Sequence, residues 1–210
     1  MFPLYDLNQA RRPALVVKGL VLANALVFLW QLSVGLEESA YALGFIPARF
    51  FADPLGEGYH LLTSMFLHGS FFHILSNMWF LWVFGDNVED RMGHGRFLLF
   101  YLLGGVAAAL AQGLLTPFSP VPMIGASGAV SAVLGAYYAL FPRAYVVSLV
   151  LFIFPLFVTF PAGFYLGYWA FLQLIQGLLG LPGVAWWAHL GGFLYGVLLA
   201  PRLARRWRRW

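Results

Sequence analysis

The chain contains no cysteine, which excludes disulfides, thiolate nucleophiles and cysteine-held metals. Charge is nearly as scarce. Acidic and basic residues make up 10% of the 210 positions, against about 25% in a soluble domain. So little charge cannot coat a water-facing surface, and 61% of the chain is hydrophobic. Its solvent is therefore largely lipid, and it reads as an integral membrane protein. Metal-ligand spacing is missing too. His68 and His73 have no glutamate between them, so the His-Glu-x-x-His pattern is absent, and His60 and His94 fall in separate loops. No metal and no cofactor is expected.

The formal net charge of +4 raises nucleic acid as a partner, but its distribution argues against one. Basic residues sit at segment ends, and "RLARRWRRW" mixes Arg with Trp at about 201–210, the composition of a membrane-interface anchor. Near the other end, about 1–13 reads as a short cytoplasmic segment. The apolar run behind Arg11, Arg12 and Lys18 is too long for a cleavable signal and reads as an uncleaved signal anchor.

A span needs roughly 20 apolar residues at about 1.5 Å rise each. Five segments approach that requirement: 14–34, 71–84 with a further turn or two at its start, 97–115, 162–179 and 184–200. A sixth, 127–141, is shorter, about 22 Å of helix against a hydrocarbon core of about 30 Å. If its far end reaches the cytoplasmic interface, its start lies inside the membrane. The irregular stretch "TPFSPVPMIGA" must then dip below the surface, where such backbone is tolerated only against protein or water. "GDNVEDRMGHGR" reads as a hydrophilic loop. Tyr145–Phe160 is apolar, β-branched and broken by Pro155 and Pro161. As a seventh span it would push the five C-terminal arginines outside. With six spans, all basic residues except Arg49 share one side, as the positive-inside rule favours. Tyr145–Phe160 is therefore read as an interfacial or partly buried hairpin. The fold class expected is an all-α polytopic membrane protein, one domain over 1–210, with both ends cytoplasmic in a cell (plasma or inner) membrane.

Polar residues stand where lipid should forbid them. Ser127 lies between glycines in "GASG"; His73 and Asn77, four apart in "HILSN", share one helical face; His189 sits one turn into the last span. Each has a structural alternative: Ser127 a helix cap or packing residue, His189 a hydrogen-bonder, His73 and Asn77 an interhelical clamp. Small residues recur every four positions at Gly105, Ala109 and Gly113, at Ser127, Ser131 and Gly135, and at Ala188, Gly192 and Gly196. That is a helix-packing seam, and it brings the starts of the fourth and sixth spans together.

"LLTSMFLHGSFFHILSN", "GASG" and "AHLGGFLYG", in this order and at these separations, resemble the rhomboid intramembrane serine proteases over essentially the whole chain. The resemblance implies a six-transmembrane-helix rhomboid-like bundle with a short fourth helix starting inside the membrane. It implies Ser127 as nucleophile, His189 as general base, and His73 and Asn77 as oxyanion donors. Backbone N–H groups at Gly125 and Ala126 would join them. With no carboxylate in any predicted span, the site would be a Ser–His dyad. The chain departs from the family in having Tyr59-His60 where a Trp-Arg pair is usual. It also has Ser131 where an aromatic ring normally stacks on the histidine. A serine cannot stack, but its hydroxyl could accept from His189 Nδ1 and set the tautomer; a packing role alone is the alternative. The implied partners are the bilayer and transmembrane protein substrates, entering laterally. A non-proteolytic rhomboid-like chaperone is the competing reading; relatives of that kind lose the Ser or the His. A transporter would want internal repeats or an intramembrane carboxylate, and neither is found.

Overall fold

A computed structural model describes residues 1–151 and 154–204. The stretch 205–210, with most of the Arg-Trp anchor, lies outside the described residues. The helices are α1 (Leu15–Val34), the short α2 (Leu36–Leu43), α3 (Pro47–Ala52), α4 (Pro54–Glu57) and α5 (His60–Thr63), then α6 (Phe71–Met92), α7 (His94–Leu115), α8 (Ser127–Leu140), α9 (Ala162–Leu178) and α10 (Trp186–Leu203). Among the described residues, α1 and α7 are long and apolar enough to cross a membrane. Their outward faces carry exposed leucines, including Leu22, Leu26 and Leu29 on α1 and Leu99, Leu103 and Leu114 on α7.

The predicted loop "GDNVEDRMGHGR" is corrected. α6 continues eight residues past Phe84, and the chain turns into α7 at Gly93, whose φ of 81° suits glycine. Several of the polar residues there have partners inside the protein. Glu89 is buried and accepts the Val16 and Val17 N–H groups, each at 2.9 Å, placing a carboxylate at the start of α1. His94 Nδ1 contacts the same carboxylate. Val88 and Met92 are buried in the core beside it.

The loop joining α1 to α6, residues 35–70, is a run of short helices. Arg49, the lone basic residue of that loop, donates to Glu57 at 2.6 Å and to the Tyr41 carbonyl at 3.1 Å. The buried His60 donates to the Ala42 carbonyl at 3.0 Å, so this departure from the family pair is itself a loop anchor.

The all-helical expectation also needs correction. Tyr145–Phe160 forms a β-hairpin, β2 (Tyr145–Leu151) and β3 (Pro155–Pro161), as its β-branched content and its prolines at the strand ends favour. Phe2–Asp6, expected as part of a plain cytoplasmic segment, is a third strand, β1, antiparallel to β2 with Phe2 opposite Leu149. The sheet order is β1-β2-β3. β1 lies along α6. Trp79 Nε1–H donates to the Pro3 carbonyl at 2.6 Å, and Phe2 packs on Trp79 and Phe80. At the other end Asp6 accepts from Tyr137 of α8 and from Asn87 of α6.

The core is α7, α8 and α10, joined along the small-residue seam. A Cβ added at Gly135 would sit 2.0 Å from the Phe193 carbonyl oxygen, at Gly192 2.2 Å from that of Gly128, and at Gly196 2.0 Å from that of Ala132. Backbone meets backbone, which only glycine permits.

Candidate active site

Ser127 opens α8, and the chain reaches it through a pinned loop. Phe45 and Met123 exchange backbone hydrogen bonds at 3.1 and 2.8 Å, and the Gly125 N–H donates to the Ser64 carbonyl at 2.9 Å. Gly125 has φ +120°, a conformation that disfavours any side chain. A Cβ there would also lie 2.7 Å from His73 Nε2 and 3.7 Å from Asn77 Nδ2. The α6 face carrying His73 and Asn77 is thus turned onto the backbone just before Ser127.

That face is held from its own end. Ser70 caps α6 by accepting the His73 N–H at 3.1 Å. Gly69 N–H donates to His73 Nδ1 at 3.3 Å, so the ring proton belongs on Nε2, the nitrogen facing Gly125. Asn77 is buried, and its Nδ2 has no hydrogen-bond partner among the described residues. A buried donor without an acceptor is costly unless something else supplies one. The first N–H groups of α8, from Ser127 onward, likewise lack intrahelical acceptors.

His189 enters from α10. It lines a cavity of about 130 Å³ together with Ser127, Asn77, Ser76, Phe80 and Trp169. His189 Nδ1 lies 2.6 Å from Gln173 Oε1 on α9, and Trp169, one turn earlier on α9, has its ring centroid 6.0 Å from the imidazole at 31°. Trp186 meets the same ring edge-on at 6.2 Å. The structure therefore brings Ser127, His189, His73 and Asn77 to one place.

Two expectations about smaller parts change. Ser131 does not reach His189 as an acceptor. Its hydroxyl donates back to the Ser127 carbonyl at 2.6 Å, the i−4 bond that helical serines readily make. Gly125 does not offer an oxyanion N–H, because Ser64 already accepts it. Gly125 supplies shape, while Ala126, the buried N-cap of α8, remains at the helix start among the candidate donors.

Gln173 and Trp169 escaped the sequence reading. Their signal was present: a lone amide in the apolar run "YWAFLQL", four residues after a tryptophan. His68 was noted only in excluding a metal. It is fully buried and packs edge-on against His73 at 5.0 Å, backing the ring that faces Gly125.

Helices of membrane-crossing length, a short helix begun by an irregular loop, and a serine and a histidine lining one cavity define the class as a membrane protein with a polar site among its helices. The Rhomboid domain matches residues 55–206, and the chain belongs to the rhomboid family. It is 31% identical to the human mitochondrial presenilin-associated rhomboid-like protein over 185 residues, 86% of this chain and 46% of that protein. It is 34% identical to the rhomboid protease GluP of Bacillus subtilis over 137 residues, 64% of this chain and 26% of that one. Rhomboid protein 1 of Saccharomyces cerevisiae mitochondria is 32% identical over 147 residues, 66% of this chain and 40% of that protein. The chain thus spans less than half the length of each of these relatives.

Proposed function

We propose that the chain is an intramembrane serine endopeptidase that cleaves transmembrane segments through a Ser127–His189 dyad. The observation that carries this reading is the shared cavity, lined by Ser127, His189 and Asn77, whose Nδ2 has no partner among the described residues. Ser127 Oγ attacks the scissile carbonyl while His189 Nε2 takes its proton. The carbonyl electrons move to an oxyanion held by His73 Nε2–H, Asn77 Nδ2–H and the N–H groups at the start of α8. Collapse of this intermediate expels the amine, which takes the proton back from His189, and leaves an acyl ester on Ser127. Water activated by the same imidazole then hydrolyses the ester. With no carboxylate beside His189 in this scheme, stabilisation of the oxyanion carries much of the acceleration.

The substrate is a transmembrane segment weakened near its outer end, with a small residue before the scissile bond. A helix shields its carbonyls in hydrogen bonds, so the segment must open before attack. Access is lateral, between α6 and α9, which contribute Phe80 and Trp169 to the cavity wall. The chain crosses the bilayer six times, through α1, α6, α7, α8, α9 and α10, with both ends on the cytoplasmic or equivalent basic side. Named relatives come from mitochondria and from a bacterium, and fractionation of the source cell assigns the membrane.

A fluorophosphonate probe tests the assignment. It should label the wild type covalently and leave Ser127→Ala and His189→Ala unlabelled, both variants also losing cleavage of a transmembrane reporter while remaining folded. Reporter cleavage by purified Ser127→Ala would overturn the assignment.

A further inference from the structure

We propose that Gln173 is the positioning residue of the catalytic base: its side-chain oxygen holds the Nδ1–H of His189 and so keeps Nε2 free to take the proton of Ser127. The inference rests on the protease reading and concerns a residue that nothing in that reading requires. An imidazole can act as base at Nε2 only if its proton resides on Nδ1, and the neutral ring has no strong preference of its own for that tautomer. In triads a buried carboxylate settles the matter. Here the contact at Nδ1 is Gln173 Oε1 at 2.6 Å, and the amide is itself buried, at 7% exposed.

Position 173 does this from a separate helix. Trp169 and Gln173 are four apart on α9 and so share one face. The tryptophan supplies the aromatic neighbour at 6.0 Å, and the glutamine holds the edge of the ring. The neighbouring α8 position takes neither part: the Ser131 hydroxyl is turned to the Ser127 carbonyl, makes no hydrogen bond to His189 among the described residues, and brings no ring. Holding a base through an amide leaves it oriented without a full negative charge in the bundle. That distinguishes this arrangement from a carboxylate triad, where an ion would have to be buried.

Three variants and one spectrum separate positioning from packing. Gln173→Met keeps length and apolar volume but removes the acceptor. Gln173→Glu keeps an acceptor and cannot donate. Ser131→Ala serves as the comparison. If Gln173 positions the base, Gln173→Met should lose about tenfold in kcat with KM unchanged, the upper range for one neutral hydrogen bond. Gln173→Glu should retain more activity than Gln173→Met, and Ser131→Ala should match the wild type. A packing role gives the opposite order, since a buried carboxylate disturbs a core more than a methionine does. Wild-type kcat in Gln173→Met, or Gln173→Glu at or below it, overturns the proposal.

The spectrum needs no turnover. In the wild type labelled with ¹⁵N-histidine, the resonances assigned by difference against His189→Asn should report a protonated Nδ1 and a bare Nε2. The opposite tautomer overturns the proposal even if Gln173→Met fails to fold. Reporter cleavage independent of Ser127 would instead remove the protease reading, and the tautomer measurement would still decide what Gln173 does.

Discussion

Gly196→Ala should damage a site it does not touch. Gly196 lies on α10 two turns beyond His189, and a Cβ there falls 2.0 Å from the Ala132 carbonyl oxygen and 2.7 Å from the Ala136 nitrogen on α8. Both obstacles are backbone, so no side chain can swing aside. Ordinary van der Waals contact begins at 3.4 Å, and restoring it requires the two helices to part by about 1.4 Å. α10 carries His189 and α8 carries Ser127, so the separation falls between nucleophile and base. A displacement of about 1 Å in reacting groups can cost about 10²-fold in rate. Kcat/KM on a transmembrane reporter should therefore drop by about 10²-fold. Overpacking of about 1–3 kcal/mol should also lower Tm by several degrees. Gly19→Ala is the control, because a Cβ at Gly19 meets nothing within 4 Å. It should leave activity unchanged and, from helix propensity alone, raise stability slightly. Wild-type kcat/KM in Gly196→Ala would refute the argument that this seam sets the dyad geometry.

Two further outcomes follow from the same structure. Asn77→Ala should lower kcat by about 10²–10³ with little change in KM, as loss of one oxyanion donor does; an unchanged kcat would remove Asn77 from the oxyanion site. Asp6 has its carboxyl pushed up to about 7, first by burial and also by the Asp86 carboxylate, against a lowering contribution from Tyr137. A carboxyl raised in the folded state contributes stability that is full below its ordinary value of 3.8 and lost as pH rises through about 7. Asp6→Asn, which keeps an acceptor for Tyr137 and Asn87, should flatten this dependence. Tm of the variant should exceed wild type at pH 8 and match it near pH 4; parallel curves would rule out Asp6 as the titrating group.

Much of the site was legible because its parts obey local rules. The four-residue spacing of His73 and Asn77 placed them on one face, and the break at "TPFSPVPMIGA" marked the irregular approach to the short helix that Ser127 begins. The small residues at Gly135, Gly192 and Gly196 foretold the contact that brings α8 and α10 together. What escaped depends on partners distant in sequence. Nothing near Gln173 reveals that His189 lies across from it. The acceptor read onto Ser131 is Gln173 instead, and the aromatic neighbour of His189 is Trp169, both from another helix. The α6 extension was misread because Glu89 looks like a loop residue until the start of α1 is known to cover it. β1 was missed for a related reason: five residues show no strand signal until β2 lies alongside.

The three-stranded sheet also constrains the order in which the molecule can be completed. Phe2 and Leu149 pair across roughly 150 residues, a long-range contact of the kind that forms slowly because loop closure precedes any gain. During synthesis β1 emerges first, yet its N–H and C=O groups have no strand to bond until β2 has been made. It must wait in water, since unpaired backbone does not persist in hydrocarbon. Closure of the sheet then comes after α8 has been delivered, and it ties the beginning of the chain to the ring of Trp79 and the carboxamide of Asn87. Amide hydrogen exchange should record this history in reverse, with β1 losing protection at lower denaturant than the α8–α10 seam.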